Sequence, residues 1–436
     1  MPRIAILGAG SAMFAGQLMT DLLHSPGLPQ GTFALVDVDC QRLELAHRLA
    51  EHLIGLTGRD WSVQASADRT AVLAGCDHVI STIEVAGLRN VEHDYRIPLA
   101  HGVDQCIGDT LGPGGVFKAL RTLPAWLEIL ADVERLAPGA HVLNYTNPMS
   151  ITVLAGLQAS DLPIIGLCHS VQNTARQLAE YLEVPRLELV FRVGGINHMA
   201  FFLALRRGEQ DLYPRLRQRA RLPEIRAQDP VRFDILDHLG WFVTESSGHF
   251  SEYVPYYRKR PDLIERYAGE GYLGESGYYA RMWPLWRAFY DDQVRLIVEE
   301  GQAPVLARGE EYAAYIIEAI ETDAPVRVHA NVLNSGLIDN LPQDGVVEVP
   351  CLVDGTGVHP THFGPLPTPL AALCQPHMAV HELVVEAVLA RDRRAAFHAL
   401  ALDPLTAAVC SLEEIRSLFE AMVEAQKADL PDWLQT

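Results

Sequence analysis

Arg3-Ile4-Ala5-Ile6-Leu7-Gly8-Ala9-Gly10-Ser11-Ala12-Met13-Phe14 is the stretch that decides the fold. A short apolar run enters a turn with two glycines, and a helical apolar pattern follows to about His24. A strand that meets a glycine-rich turn and opens a helix is the dinucleotide-binding arrangement. Gly8 permits the tight turn and Gly10 lets a pyrophosphate approach the backbone. The helix start adds free N–H groups and a positive dipole end. Met13 stands where the third glycine of that fingerprint is usual. A second strand, Thr32-Phe33-Ala34-Leu35-Val36, ends at Asp37, a carboxylate placed to accept from both ribose hydroxyls. An acid there favours NAD over its 2′-phosphorylated form. The expected cofactor contacts are Gly8, Gly10, Ser11, Phe14 and Asp37.

Outward from that unit the pattern keeps an alternating βα rhythm, which argues for a parallel sheet. Helix 39–56, a strand near 62–65 and the apolar run 76–83 come first. Gly108-Asp109-Thr110-Leu111-Gly112-Pro113-Gly114-Gly115 then reads as a loop that either lies against a ligand or is a plain surface turn. A helix at 116–136 and the strand His141-Val142-Leu143-Asn144 lead to Asn147-Pro148, an amide at a strand's carboxyl end. Strand 163–167 delivers Cys168 and His169, and a helix runs from Ser170 to about Glu183. Open α/β sheets bind ligands at this edge, so the Gly8 turn, the 112–115 run, Asn147 and Cys168 are predicted to converge.

From about 187 the rhythm changes. Strands 187–193 and 199–205 flank Asn197-His198, and the Arg-rich segment 206–230 reads as a surface excursion or linker. Helical patterns cover 231–300 and 377–428, with β-branched runs between 326 and 352. The division predicted is a Rossmann-type domain over 1–185 and a mixed α+β substrate and metal domain over 186–436. The second is expected to pack across the sheet's carboxyl edge in a lactate/malate dehydrogenase-like architecture. Cys168 and His198 pair a thiolate with an imidazole, which suits a borderline divalent metal and leaves positions open for substrate. A buried thiol and a hydrogen-bonded core histidine are the competing reading. The polar and aromatic segment from Thr244 to Arg258 reads as a cleft lining or as a solvated loop with aromatic anchors.

Composition narrows the partners. A formal net charge of −20 argues against nucleic acid or an anionic membrane surface. No apolar run reaches the ~18 residues a membrane span needs. Seven scattered cysteines without a C-x-x-C pair point to a reducing cytoplasm.

Taken together, several stretches resemble glycoside hydrolase family 4, the NAD- and metal-dependent glycosidases. They are the Gly8–Phe14 turn, Asp109-Thr110-Leu111-Gly112-Pro113-Gly114-Gly115 with Leu120-Arg121-Thr122, and Asn147-Pro148-Met149. Cys168-His169-Ser170-Val171, Gly195-Ile196-Asn197-His198, the 244–257 segment and Asp403-Pro404-Leu405-Thr406 complete the set, so the likeness runs almost end to end. His-Ser-Val after the cysteine looks like the branch that takes unphosphorylated α-galactosides; α-glucosides and α-galacturonides are the neighbouring possibilities.

The resemblance implies hydride transfer from the sugar's C3 to NAD⁺, metal-assisted removal of the C2 proton, elimination of the glycosidic oxygen, water addition at C1 and return of the hydride. This departs from the usual carboxylate-pair mechanism. It implies Cys168 and His198 as ligands of Mn²⁺ or another divalent metal, Tyr253 as general base, and His169 as acid to the leaving oxygen. Asp109 is a second candidate base, and Asn147 and Asn197 are substrate contacts. A homodimer or homotetramer is implied as well. Two other readings stay open on the residues: a 2-hydroxy-acid dehydrogenase, which needs no metal pair, and a non-catalytic NAD-binding protein, which has no use for Cys168.

Overall fold

Ile4, Ala5, Ile6 and Leu7 are all buried, so the first strand is covered on both faces, as a parallel strand under helices must be. The computed structural model describes residues 1–435, apart from the side chains of Ala12 and Met13; the replacement of the third glycine by Met13 thus lies outside the described residues. Six strands, β1 (Arg3–Leu7), β2 (Gln30–Val36), β3 (Asp60–Ser66), β4 (His78–Ser81), β5 (His141–Asn144) and β6 (Ile164–Gly166), pair in parallel in the order 3-2-1-4-5-6. That is the doubly wound dinucleotide-binding order, with its switch point at β1/β4.

The later strands are β7 (Val190–Ile196), β8 (Met199–Arg207), β9 (Gln210–Asp211), β10 (Phe242–Val243), β11 (Val326–Leu333), β12 (Val346–Asp354) and β13 (Gly357–Pro360). They do not pack across the sheet edge, as the sequence suggested, but extend the same sheet. The antiparallel pair β11/β12 inserts between β6 and β7, and β8 and β10 follow. One cross-strand row, Gly166–Asn331–Glu348–Gly195, therefore joins the strand that leads to Cys168 with the strand that leads to His198.

Alternation along β1 sends Ile4 and Ile6 into one core and Ala5 and Leu7 into the other. The second core is closed by the carboxyl-terminal helices Thr368–Ala390, Arg393–Leu402 and Leu412–Gln426, so both cores draw on residues from either side of position 185.

Three local expectations are corrected. The helix predicted from 116 starts at Gly112, and the glycine run is its buried first turn. A Cβ on Gly114 would lie 2.3 Å from the Gly108 carbonyl oxygen, and one on Gly115 would lie 2.4 Å from the Thr110 carbonyl carbon. These glycines let a loop, not a ligand, approach the backbone. The segment 206–230 carries the helices Tyr213–Arg219 and Pro223–Arg226, with Leu212 and Leu216 fully buried, because Arg-rich composition hid apolar residues at helical spacing. The helical stretch 231–300 is broken into Pro230–Leu239, Ser247–Tyr253, Pro261–Tyr267 and Tyr278–Glu300.

Candidate active site

Two cavities adjoin at the carboxyl edge of the parallel strands. The first, about 550 Å³, is lined by Gly8, Gly10, Ser11 and Asp37 on one side and by Tyr272, Tyr279 and Trp283 on the other. Gly8 has φ +81°, the left-handed conformation that glycine adopts without strain. The Asp37 carboxylate accepts from the Gly10 amide at 2.8 Å and the Asp39 amide at 2.9 Å, which fixes it at the end of β2. Arg42, which the sequence reading passed over, donates to the Gly10 carbonyl at 2.7 Å and pairs with Asp291 at 2.8 Å. Its guanidinium is thereby committed within the protein. Phe14, expected among the cofactor contacts, instead faces the second cavity, edge-on to Tyr145.

The second cavity, about 640 Å³, brings together Asp109, Asn147, Cys168, His169 and His198, delivered by four different loops. It shares Tyr272 and Tyr279 with the first. The ligand atoms of His198, Glu245 and His249 all lie within 4.8 Å of one another. Glu245 and His249 went unnamed among the candidate residues, although their i, i+4 spacing in the polar 244–258 segment was the available signal. His198 Nε2 is 3.5 Å from Glu245, and Asp109 lies 4.0 Å from His249 Nε2, 3.5 Å from Lys118 Nζ and 3.5 Å from the Asn147 amide. Lys118, buried and also paired with Glu84 at 2.7 Å, was likewise missed, since a lone lysine in a helix gives no signal.

The electrostatics favour a bound cation. Burial pushes the Cys168 thiol up, but the adjacent His198 outweighs it and the net direction is down, toward the thiolate. Burial alone would lower His198; Glu245 and Cys168 overcome that and raise it to about 10. Asp109 and Glu245 both end below the ordinary carboxylate range, because Lys118 offsets burial for the first and His198 for the second. Burial and the His198 charge hold His249 down at about 4, hence neutral, with its Nε2 buried and without a partner among the described residues. A thiolate, two carboxylates and a neutral imidazole form a donor set that fits a divalent metal, to which His198 would add a second imidazole on releasing its proton.

The remaining candidates are placed unevenly. Tyr253 is buried with its hydroxyl 3.1 Å from His198 Nδ1, on the far side of that ring from Glu245, and burial with nearby acids holds the phenol well above its ordinary range. It does not line the cavity. His169 is exposed at the mouth, 3.7 Å from Glu311. Asn197 is 2% exposed, and neither its amide nitrogen nor its oxygen has a partner among the described residues; the Asn147 oxygen is likewise unpaired. Glu252, also unremarked in the sequence, accepts from the amides of Cys106, Ile107 and Gly108 at 2.6–2.9 Å and so braces the loop that carries Asp109.

Comparison with known proteins bears directly on this arrangement. The model for family 4 glycosyl hydrolases matches residues 3–184, and the model for the carboxyl-terminal domain of the same family matches residues 193–406. The chain is 36% identical to an alpha-galactosidase of Rhizobium meliloti (strain 1021), covering 99% of this chain and 89% of that one. It is also 36% identical to an alpha-galactosidase of Bacillus subtilis (strain 168), over 99% and 100%. Among solved structures, the Bacillus subtilis protein lplD, assigned as a glucosidase, superposes with a TM-score of 0.87 at 26% identity over 97% of this chain and 99% of its own. With both halves matched and the relatives aligned end to end, the chain belongs to family 4 of the glycosyl hydrolases and is a glycoside hydrolase.

Proposed function

We propose that this enzyme hydrolyses neutral α-galactosides with the help of NAD⁺ and a divalent metal, Mn²⁺ being the expected one. The observation that carries this reading is the junction of the two cavities at Tyr272 and Tyr279, which sets the cleft over Gly8, Gly10 and Asp37 against a polar pocket rich in metal donors. When bound, NAD⁺ supplies a hydride acceptor and the metal a Lewis acid for a sugar carbonyl.

The chain's own residues do the rest. Gly8, Gly10 and Ser11 cradle the pyrophosphate, and Asp37 accepts from the ribose hydroxyls. Cys168 and His198 hold the metal, with Glu245 and His249 close enough to join them. Asn147 binds a sugar hydroxyl through its unpaired amide oxygen; Asn197, expected to do the same, does not line the cavity and would reach substrate only by turning its unpaired amide toward it. Asp109, whose carboxylate lines the cavity, is better placed than Tyr253 to take a proton from substrate. Tyr253, hydrogen-bonded to His198 Nδ1, would orient that imidazole. His169, at the mouth, protonates the leaving oxygen.

Charge supports a neutral sugar. Arg232 is the one Arg or Lys among the described residues lining this cavity, and Asp229 and Gln177 occupy its guanidinium. No arginine or lysine lining the cavity is thus left free for a uronate or sugar phosphate, and Asp109 and Glu245 place carboxylates beside it. Residues 1–185 serve chiefly the cofactor and 186–436 the substrate and metal; Asp109, Asn147, Cys168 and His169 cross over to the second role, and Tyr272, Tyr279 and Trp283 to the first. Seven free cysteines and a thiolate ligand accord with a reducing cytoplasm. An assembly of two or four copies accords with the helix Tyr278–Glu300, where Leu285 and Phe289 are exposed.

The test is release of nitrophenol from 4-nitrophenyl α-galactoside with NAD⁺, Mn²⁺ and a reductant each present or omitted. Release that needs all three, leaves no net NADH and is lost in Cys168→Ser is expected. Full activity of Cys168→Ser would remove the metal role of that residue.

A further inference from the structure

The second cavity has two chemically different ends. Its inner end, shared with the nucleotide cleft, carries Tyr272 and Tyr279. Its outer end is the helix Ser170–Leu182, from which Asn173 and Gln177 line the cavity one turn apart, in register with His169 at the helix start. Positions i, i+4 and i+8 share a helix face, so the three side chains form one polar strip. All three are exposed. The Gln177 oxygen accepts from Arg232 at 2.6 Å and the Asn173 oxygen from Arg176 at 3.2 Å, which orients both NH₂ groups away from those cations. Across the mouth, Glu310 pairs with Arg176, and Glu311 faces His169. A sugar held between metal donors and cofactor reaches the cofactor at the inner end, so whatever is attached through its glycosidic oxygen extends toward this strip.

We infer that the Asn173–Gln177 face is the subsite for the leaving group, and that it selects a neutral, hydroxyl-rich one: the second sugar of an α-linked disaccharide. This rests on the function proposed above. Amide donors paired with carboxylate acceptors match a ring of hydroxyls, each of which donates and accepts. An aryl group offers these donors and acceptors no hydroxyl to bond.

The experiment compares kcat/KM for an α-1,6-galactosyl-glucose disaccharide with that for 4-nitrophenyl α-galactoside, using the enzyme with NAD⁺, Mn²⁺ and reductant. In Asn173→Ala/Gln177→Ala the disaccharide-to-aryl ratio should fall about tenfold, chiefly through KM for the disaccharide. Gln177→Glu keeps the oxygen that faces Arg232 but removes the donor, and should lower the same ratio by about threefold. A ratio within twofold of wild type in both variants overturns the subsite, whatever happens to the absolute rates. If the wild-type protein cleaves neither glycoside, the proposed function fails. The subsite then stands or falls on calorimetric binding of the intact disaccharide, which the double variant must weaken about tenfold.

Discussion

Gly10→Ala tests the cofactor half of this reading with a single methyl group. The Cβ would lie 2.7 Å from Asp37 Oδ2 and 2.8 Å from Arg42 Cβ, against at least 3.4 Å for ordinary contact. Arg42 cannot yield easily, since its Cβ is tied to the backbone and its guanidinium holds the Gly10 carbonyl and Asp291. The Asp37 carboxylate must therefore move, and in doing so it gives up the 2.8 Å bond from the Gly10 amide that aims it. A misplaced carboxylate forfeits a charge-assisted bond to the ribose, worth about 1.5–3 kcal/mol. Taking about 2 kcal/mol, the Kd for NAD⁺ rises roughly 30-fold. Calorimetric titration reads this directly. Thermal or chemical denaturation gives an independent measure: at NAD⁺ 100-fold above the wild-type Kd, wild type gains about 2.7 kcal/mol and the variant only about 0.9 kcal/mol. Overpacking itself costs about 1–3 kcal/mol, so near-UV circular dichroism should show a folded variant. A folded Gly10→Ala protein that binds NAD⁺ within threefold of wild type would refute the placement of the ribose at Asp37.

Two further predictions concern stability. Arg121, part of the Leu120-Arg121-Thr122 motif, is buried against Asp94 at 2.6 and 3.1 Å and Gln426 at 2.6 Å; Arg121→Met strands the Asp94 carboxylate and should cost about 3–5 kcal/mol in denaturant titrations, most of it recovered in Arg121→Met/Asp94→Asn. His329 and His381 are both held by burial at about 3, below the ordinary histidine range, so they favour the folded state above pH 6.5 and lose that contribution as pH falls toward 3. At pH 5 each should have withdrawn about 2 kcal/mol relative to pH 7, and His329→Asn/His381→Asn should flatten the midpoint-versus-pH curve over that interval.

The parallel half of the fold was legible because its signals are local. Glycines 8 and 10, the apolar runs and Asp37 lie within a few residues of the structure they specify, and β1 runs from Arg3 to Leu7 as its sequence suggests. Cys168, His198, Asp109 and Asn147 could be named because each sits at an abrupt break between periodic segments. What stayed hidden depends on contacts far apart in the chain. The insertion of β11/β12 between β6 and β7 rests on pairings such as Asn331 with Gly166, 165 positions apart, which no window of sequence displays. Lys118 looks like any helix lysine until Glu84 and Asp109 are seen around it. The 112–115 glycines signalled close approach correctly, but sequence does not say whether the visitor is a ligand or the Gly108 carbonyl.

The row Gly166–Asn331–Glu348–Gly195 has a mechanical consequence. Two-part enzymes commonly open and shut by rotating one part on a linker. Here the parts are stitched by backbone hydrogen bonds across four neighbouring strands, directly beneath Cys168 and His198. A swing of one half would tear that seam, with Glu348 and Asn331 fully buried in it. The spacing between the cofactor cleft and the metal donors is thus set once, at folding, and turnover is left to traffic through the mouth beside Asn173. On the function proposed above, hydride taken from the sugar would return to it in each cycle, which leaves little need to release the cofactor. A chassis without a hinge suits that economy.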